Sequence, residues 1–179
     1  RGGAEVGEGP LTGIALAHKD IFQIDGRLPG CGVGAGRAHS GLPAAAALAA
    51  GLTGIEMGSD IASSLRNPAH FCGLFSHKPT WGIVPLRGHG FPGTDGLDVP
   101  LAVVGPMARN VRDLAETLDI IAGPETPGYK LDLPAPRHSR LTDFRVRVIR
   151  QMPGVPIDAD TSAVLDGFLA GLDKAGIRV

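Results

Sequence analysis

The sequence predicts an α/β protein. Short apolar runs of strand length alternate with two amphipathic helical patterns, and glycine and proline punctuate the segments between them. With 43% hydrophobic and 20% charged residues, the 179-residue chain has the composition of a globular protein with one well-buried core. Glycine numbers 27, proline 15 and aromatics make up only 4%, a balance that suits close backbone packing and many turns.

Leu11 to Ala17 reads as a short buried strand ending at His18-Lys19-Asp20, and Arg27 to Gly36 as a glycine-rich loop. Ala44 to Ala50 is helical by propensity, with Gly51 suited to its C-terminal stop. Ile55 to Gly58 is a brief strand feeding a run of small residues, and Lys78 to Pro100 reads mostly as loop. Asn110 can cap a helix running to about Ala122, with Val111, Leu114, Ala115, Leu118 and Ile121 on one face and Gly123-Pro124 stopping it. A Pro-containing linker spans Glu125 to Pro136. Phe144 to Ile149 alternates as a strand, and Asp160 precedes a second helix carrying Val164, Leu165, Phe168, Leu169 and Leu172, ended by Gly176. Ile177 to Val179 opens a further strand. The expectation is a single domain over residues 1–179, incomplete at its C-terminus.

Several function classes lose support at this level. The net charge is −1, without a basic run interleaved with aromatics, which argues against nucleic-acid binding. No apolar segment is long enough to span a bilayer and no secretory leader opens the chain, so a cytoplasmic protein is expected. Cys31 and Cys72 lack C-x-x-C spacing and read as reduced thiols. His18, His70, His77, His89 and His138 lack metal-ligand spacing; neither a metal nor a cofactor is expected. The glycines at positions 30, 32, 34 and 36 do not form G-x-G-x-x-G. His39, although beside Ser40, reads as a bystander, Lys78 as structural, and Trp81 as a core or pocket-edge aromatic.

The run G-S-D-I-A-S-S-L-R-N-P-A, Gly58 to Ala69, is the candidate reactive segment. Small residues let backbone N–H groups approach a carbonyl and stabilise a developing oxyanion. Taken alone, a serine in such a turn is more often a turn residue or helix cap than a reactive group. Its company adds weight. G-P-L-T-G-I-A-L-A-H-K-D, S-G-L-P-A-A-A-A-L-A-A-G, G-S-D-I-A-S-S-L-R-N-P-A-H-F-C-G, H-K-P-T-W-G and G-P-M-A-R-N-V-R-D follow in order. Together they resemble the blocks of the amidase signature family.

The resemblance implies a mixed β-sheet with flanking helices, a partial form of that family's fold. It implies Ser64 as nucleophile, Ser40 as relay and Lys19 as base, with Ser40 and Ser64 24 residues apart as the family places them. Backbone N–H groups of Ile61, Ala62, Ser63 and Ser64 would form the oxyanion hole, braced by Asp60 and Arg66. The substrate would be a small-molecule amide cleaved at its C–N bond through an acyl-enzyme. A base lysine must be neutral, which requires burial or nearby positive charge.

Departures from the pattern are equally legible. Ala62 and Ser63 stand where the family has two glycines, and Leu42-Pro43 replaces Gly-Gly beside the relay serine. Only 21 residues separate Lys19 from Ser40, fewer than the family uses. Two further readings therefore stand beside the amidohydrolase: an inactive or impaired amidase fragment, and the amidase subunit of a glutamine-dependent tRNA amidotransferase-like complex. A second copy or a partner subunit is compatible with each.

Overall fold

The computed structural model describes residues 9–19, 44–89, 99–124, 129, 131–150 and 153–179. Two compact units emerge, Arg1–Leu133 and Pro134–Val179.

The first unit is built on a four-stranded sheet. Its strands are β1 (Leu16–His18), β2 (Ile55–Asp60), β3 (Phe75–Ser76) and β4 (Val103–Ala108), in the spatial order β1-β2-β4-β3. β1 runs parallel to β2, whereas β4 is antiparallel to both β2 and β3. The mixed α/β architecture expected from the sequence is therefore present. β1 is shorter than expected, because residues 10–13 form a turn in which Thr12 N–H donates to Gly9 O (3.0 Å) and Gly13 takes a positive φ of 83°. Nor is the strand buried: Leu16 is 48% exposed, as an edge position allows.

β4 is buried along its whole length, although Gly105-Pro106 interrupts its apolar run and no element is expected there from the sequence. The structure accommodates both residues. Pro106 O accepts from His77 N–H (3.1 Å), so the proline's missing donor faces the β3 side, just past the end of that two-residue strand. Gly105 lies opposite Gly58. A Cβ on Gly105 would sit 2.2 Å from His77 O and 2.9 Å from the Leu65 side chain, and one on Gly58 would sit 2.7 Å from Leu65. The paired glycines thus form a socket for Leu65, which is fully buried.

Leu65 joins Ala45, Leu48, Ala69 and Met107 in the core, flanked by Cys72 and Leu74. Three helices surround the sheet: α1 (Ala44–Ala49), α2 (Arg66–Cys72) and α3 (Val111–Ile121). Alanines on α1 and α2 bring these helices close. Gly51, at φ 77°, turns the chain out of α1 as expected. Arg109 then ties the α1 exit to the sheet by donating to Leu48 O (2.8 Å) and Thr53 O (2.6 Å). Asn110 caps α3 by accepting from Asp113 N–H (2.9 Å). On α3 the inward side is formed by Leu114, Thr117, Leu118 and Ile121, whereas Val111 and Ala115, expected there, are exposed. Thr117 is buried because its hydroxyl donates to Asp113 O (2.6 Å) within the helix. Lys78 donates to Leu101 O at 3.2 Å.

The second unit contains a 3-10 turn (Leu141–Asp143) and α4 (Ala159–Lys174). Asp158, rather than Asp160, caps α4, accepting from Thr161 N–H at 2.8 Å; Asp160 lies in the first turn. Leu165, Leu169 and Leu172 form the covered side, while Val164 and Phe168 are 74% and 60% exposed. Phe144 to Ile149 does not form the expected strand. It shares a single parallel bridge with residues 177–179, Arg145 with Arg178, and alternation without a continuous ladder makes no sheet. The glycine-rich loop expected over Arg27 to Gly36 lies outside the described residues.

Candidate functional site

The site begins where β2 ends. Asp60 closes the strand at 1% exposure, and the chain then turns through residues 61–65 into α2. The Asp60 carboxylate organises that turn. Oδ1 accepts from Ser63 N–H (2.8 Å) and an Arg66 terminal nitrogen (3.0 Å). Oδ2 accepts from Leu65 N–H (3.1 Å), Arg66 N–H (3.4 Å) and Arg66 Nε (3.0 Å). Burial pushes the Asp60 carboxyl up, but Arg66 and the three backbone donors outweigh it and hold the group well below the usual carboxylate range. The Arg66 side chain is 53% exposed, so its strength as an ion pair is screened; its bidentate geometry fixes the loop.

Ser64 sits in this turn as an exposed residue, flanked by two anchors: Asp60 on the polar side and buried Leu65 on the apolar side. Ser63, where the resembled family carries glycine, adopts φ 87°. A serine in that region is strained, and its hydroxyl donates to Asn67 Oδ1 (3.1 Å). The Ser63 N–H is already used by Asp60, which removes it from the four oxyanion donors expected from the sequence. The N–H groups of Ile61, Ala62 and Ser64 have no acceptor among the described residues.

Lys19 reaches the same end of β2 from β1. Its N–H extends the parallel ladder by donating to Met57 O (2.9 Å), and its Nζ donates to Ser59 Oγ (3.0 Å). Burial lowers the Lys19 pKa, opposed by the negative charges of Asp60 and Glu56. That direction favours a base. Glu56 is 4% exposed, and burial raises its carboxyl to about 7, with Lys19 pulling it down. His89 from the following loop is lowered by burial and by the Lys19 charge, so it too belongs to this neighbourhood.

Lys19, Asp60, Arg66 and Ser64 thus converge on one end of β2, although Lys19 and Ser64 share no hydrogen bond. Ser40 and His39 lie outside the described residues. Ser59 and Glu56 are not singled out by the sequence, and His89 is weighed there only as a metal ligand. The signal for Glu56 is a carboxylate between apolar Ile55 and Met57 in a buried strand. Trp81 is 50% exposed, an edge position instead of a core one. Cys72 is half-buried beside the core, and Cys31 lies outside the described residues. Among the described residues no cluster of His, Cys, Asp and Glu could hold a metal ion, and no helix is long and apolar enough to cross a membrane.

The Amidase family model matches residues 40–179, a range that begins at Ser40 and leaves Lys19 ahead of it. A glutamyl-tRNA(Gln) amidotransferase subunit of Thermus thermophilus is 42% identical over 113 residues, 60% of this chain and 23% of that protein. Human fatty-acid amide hydrolase 2 is 46% identical over 85 residues, 48% of this chain and 16% of that protein. A solved fatty acid amide hydrolase superposes with a TM-score of 0.63 at 29% identity, over 75% of this chain and 24% of that one. The chain therefore spans a quarter or less of the length of each of these relatives. On the match over residues 40–179 and the mixed sheet beneath it, the chain belongs to the amidase signature family.

Proposed function

We propose that this chain carries the catalytic segment of an amidohydrolase that cleaves a carboxylic amide C–N bond. Ser64 is the nucleophile, Ser40 the relay and Lys19 the base. The observation that carries the reading is the end of β2, where an exposed Ser64 is fixed between Asp60 and Leu65 while a desolvated Lys19 amine is held at Ser59.

In this mechanism Ser64 Oγ attacks the amide carbon while its proton passes to Ser40 Oγ and the Ser40 proton passes to Lys19 Nζ. The carbonyl electrons move to oxygen, and the N–H groups of Ile61, Ala62 and Ser64 are the donors left to receive that oxyanion. Collapse breaks the C–N bond as the Lys19 ammonium returns its proton, through Ser40, to the departing amine. Water then repeats the sequence on the Ser64 ester and releases the carboxylic acid.

A fluorophosphonate probe tests this on the protein as it stands. Wild type is expected to label at one site, with labelling lost in Ser64→Ala; folded wild type that does not label overturns the proposal.

One observation favours an impaired enzyme as the second reading: Ser63 holds a positive φ of 87° with a side chain that resists it. Weak labelling that rises in Ser63→Gly would support that reading. The similarity to a glutamyl-tRNA(Gln) amidotransferase component suggests a third, in which the amide is glutamine and a partner chain takes the ammonia. Glutaminase activity dependent on a partner would distinguish it.

A further inference from the structure

Lys19 makes one contact that the proton transfer itself does not use. Ser59 lies in β2 immediately before Asp60, at 5% exposure, with Val104 of β4 opposite it in the ladder. A hydroxyl buried to that degree needs a partner. It has one in Lys19, whose Nζ donates to Ser59 Oγ at 3.0 Å.

The backbone explains the reach. Lys19 N–H donates to Met57 O (2.9 Å), which pins the residue to β2 at its main chain. β1 and β2 run parallel, and Ser59 stands two residues beyond Met57. Two residues of strand rise about 6.6 Å, a span that the four-carbon lysine stem covers when extended. Lys19 is therefore fastened at both ends, by Met57 O at its backbone and by Ser59 at its amine. The amine is held at the last turn of the strand before the segment that carries Ser64.

The chemistry of the acceptor matters as much as its place. A lysine stem loses rotamer freedom when it is ordered, so a base that must meet its proton in one geometry needs a fixed contact. A carboxylate in the position of Ser59 would supply one, but it would favour the ammonium, which cannot accept a proton. A hydroxyl is neutral and accepts an N–H from either protonation state of the amine. One N–H given to Ser59 leaves the lone pair of the neutral amine pointing elsewhere. Strand alternation puts Ser59 on the face of β2 opposite Glu56 and Asp60, and Asp60 is already engaged by Arg66.

We propose that Ser59 is a positioning residue for the base: its hydroxyl holds the Lys19 amine at the end of β2 with the lone pair free to take the relayed Ser64 proton. This rests on the amidohydrolase reading for its catalytic meaning.

Three variants, each shown to be folded by its urea transition, test it. Ser59→Ala removes the acceptor. Ser59→Cys keeps the shape but offers only a weak one. Ser59→Thr restores the hydroxyl on a side chain suited to a strand. Fluorophosphonate labelling of Ser64 should be about tenfold slower in the alanine and cysteine variants and within about twofold of wild type in the threonine variant. A packing role predicts the opposite order, with cysteine near wild type and threonine slowed. That order, or wild-type labelling in Ser59→Ala, overturns the proposal. Side-chain NMR of Lys19 supplies a readout independent of labelling. A held amine should give two resolved ε-proton signals in wild type and Ser59→Thr, merging into one in Ser59→Ala and Ser59→Cys. Merged signals in wild type overturn the proposal whatever the labelling shows. Signals that are resolved in wild type and merge in Ser59→Ala, without any labelling of wild type, overturn the amidohydrolase reading instead.

Discussion

Replacing Asp60 by asparagine tests the central structural claim, that one buried carboxylate holds the Ser64 turn. The carboxylate accepts from Ser63, Leu65 and Arg66 N–H groups and twice from the Arg66 side chain. Asparagine keeps one acceptor oxygen, which can continue to serve Ser63. Its NH2 then faces Leu65 N–H and Arg66, donor against donor. Leu65 N–H is buried, and leaving it unsatisfied costs about 1–3 kcal/mol. The Arg66 side chain is half exposed and turns to water, so its loss adds little. The expected total is about 1–3 kcal/mol in urea unfolding at neutral pH, with slower Ser64 labelling.

The pH dependence has a definite sign. Asp60 is depressed in the folded protein, so its contribution is complete above the unfolded carboxylate pKa of about 3.9 and is lost as pH falls toward its folded value. The gap between wild type and Asp60→Asn should therefore narrow below about pH 4. A loss under about 0.5 kcal/mol at neutral pH, or a gap unchanged between pH 5 and the acid limit of folding, would refute the claim.

Substitutions at two further positions probe the same turn from its other supports. Gly105→Ala places a Cβ 2.2 Å from His77 O and against Leu65, so the backbone must shift and about 1–3 kcal/mol should be lost; an unchanged urea midpoint would remove the socket from the account. Ser63→Gly and Ser63→Ala both delete the exposed hydroxyl bond to Asn67, so their difference isolates the φ of 87°. Glycine should be the more stable of the two by about 1 kcal/mol in the same assay, and an alanine variant at least as stable would refute backbone strain there.

Local chemistry made part of this structure legible in the sequence. Asn110 ahead of an apolar stripe and Gly51 behind an alanine run mark helix ends through contacts a few residues away, and both are found as expected. Phe144 to Ile149 shows the limit of such reading, because alternation specifies a strand only when a neighbouring strand completes the ladder. β4 shows the converse. Its Gly105-Pro106 pair looks like a breaker until Gly58 and Leu65 are brought against Gly105 and β3 stops short of Pro106. The Ser64 turn is a continuous segment and could be recognised as one. The relation of Lys19 to Ser59 and Glu56 spans some 40 residues and depends on the β1–β2 register, which no local pattern fixes.

The same distinction explains how the turn carries Ser63 where its family carries glycine. A positive φ at a serine is disfavoured, and a free loop would relax it. Here both flanks are pinned by buried residues: Asp60 closes a central strand, and Leu65 fills the Gly58–Gly105 socket. The Ser63 N–H is held to Asp60 at 2.8 Å and its carbonyl accepts Asn67 N–H at 2.9 Å. With both peptide groups fixed, the conformation is set by the anchors, and the side chain bears the strain, about 1–3 kcal/mol by the usual cost of such backbone. The chemistry expected of Ser64 thus depends less on the residue beside it than on a buried carboxylate and a buried leucine. Weakening either anchor should relax Ser63 and displace Ser64 together.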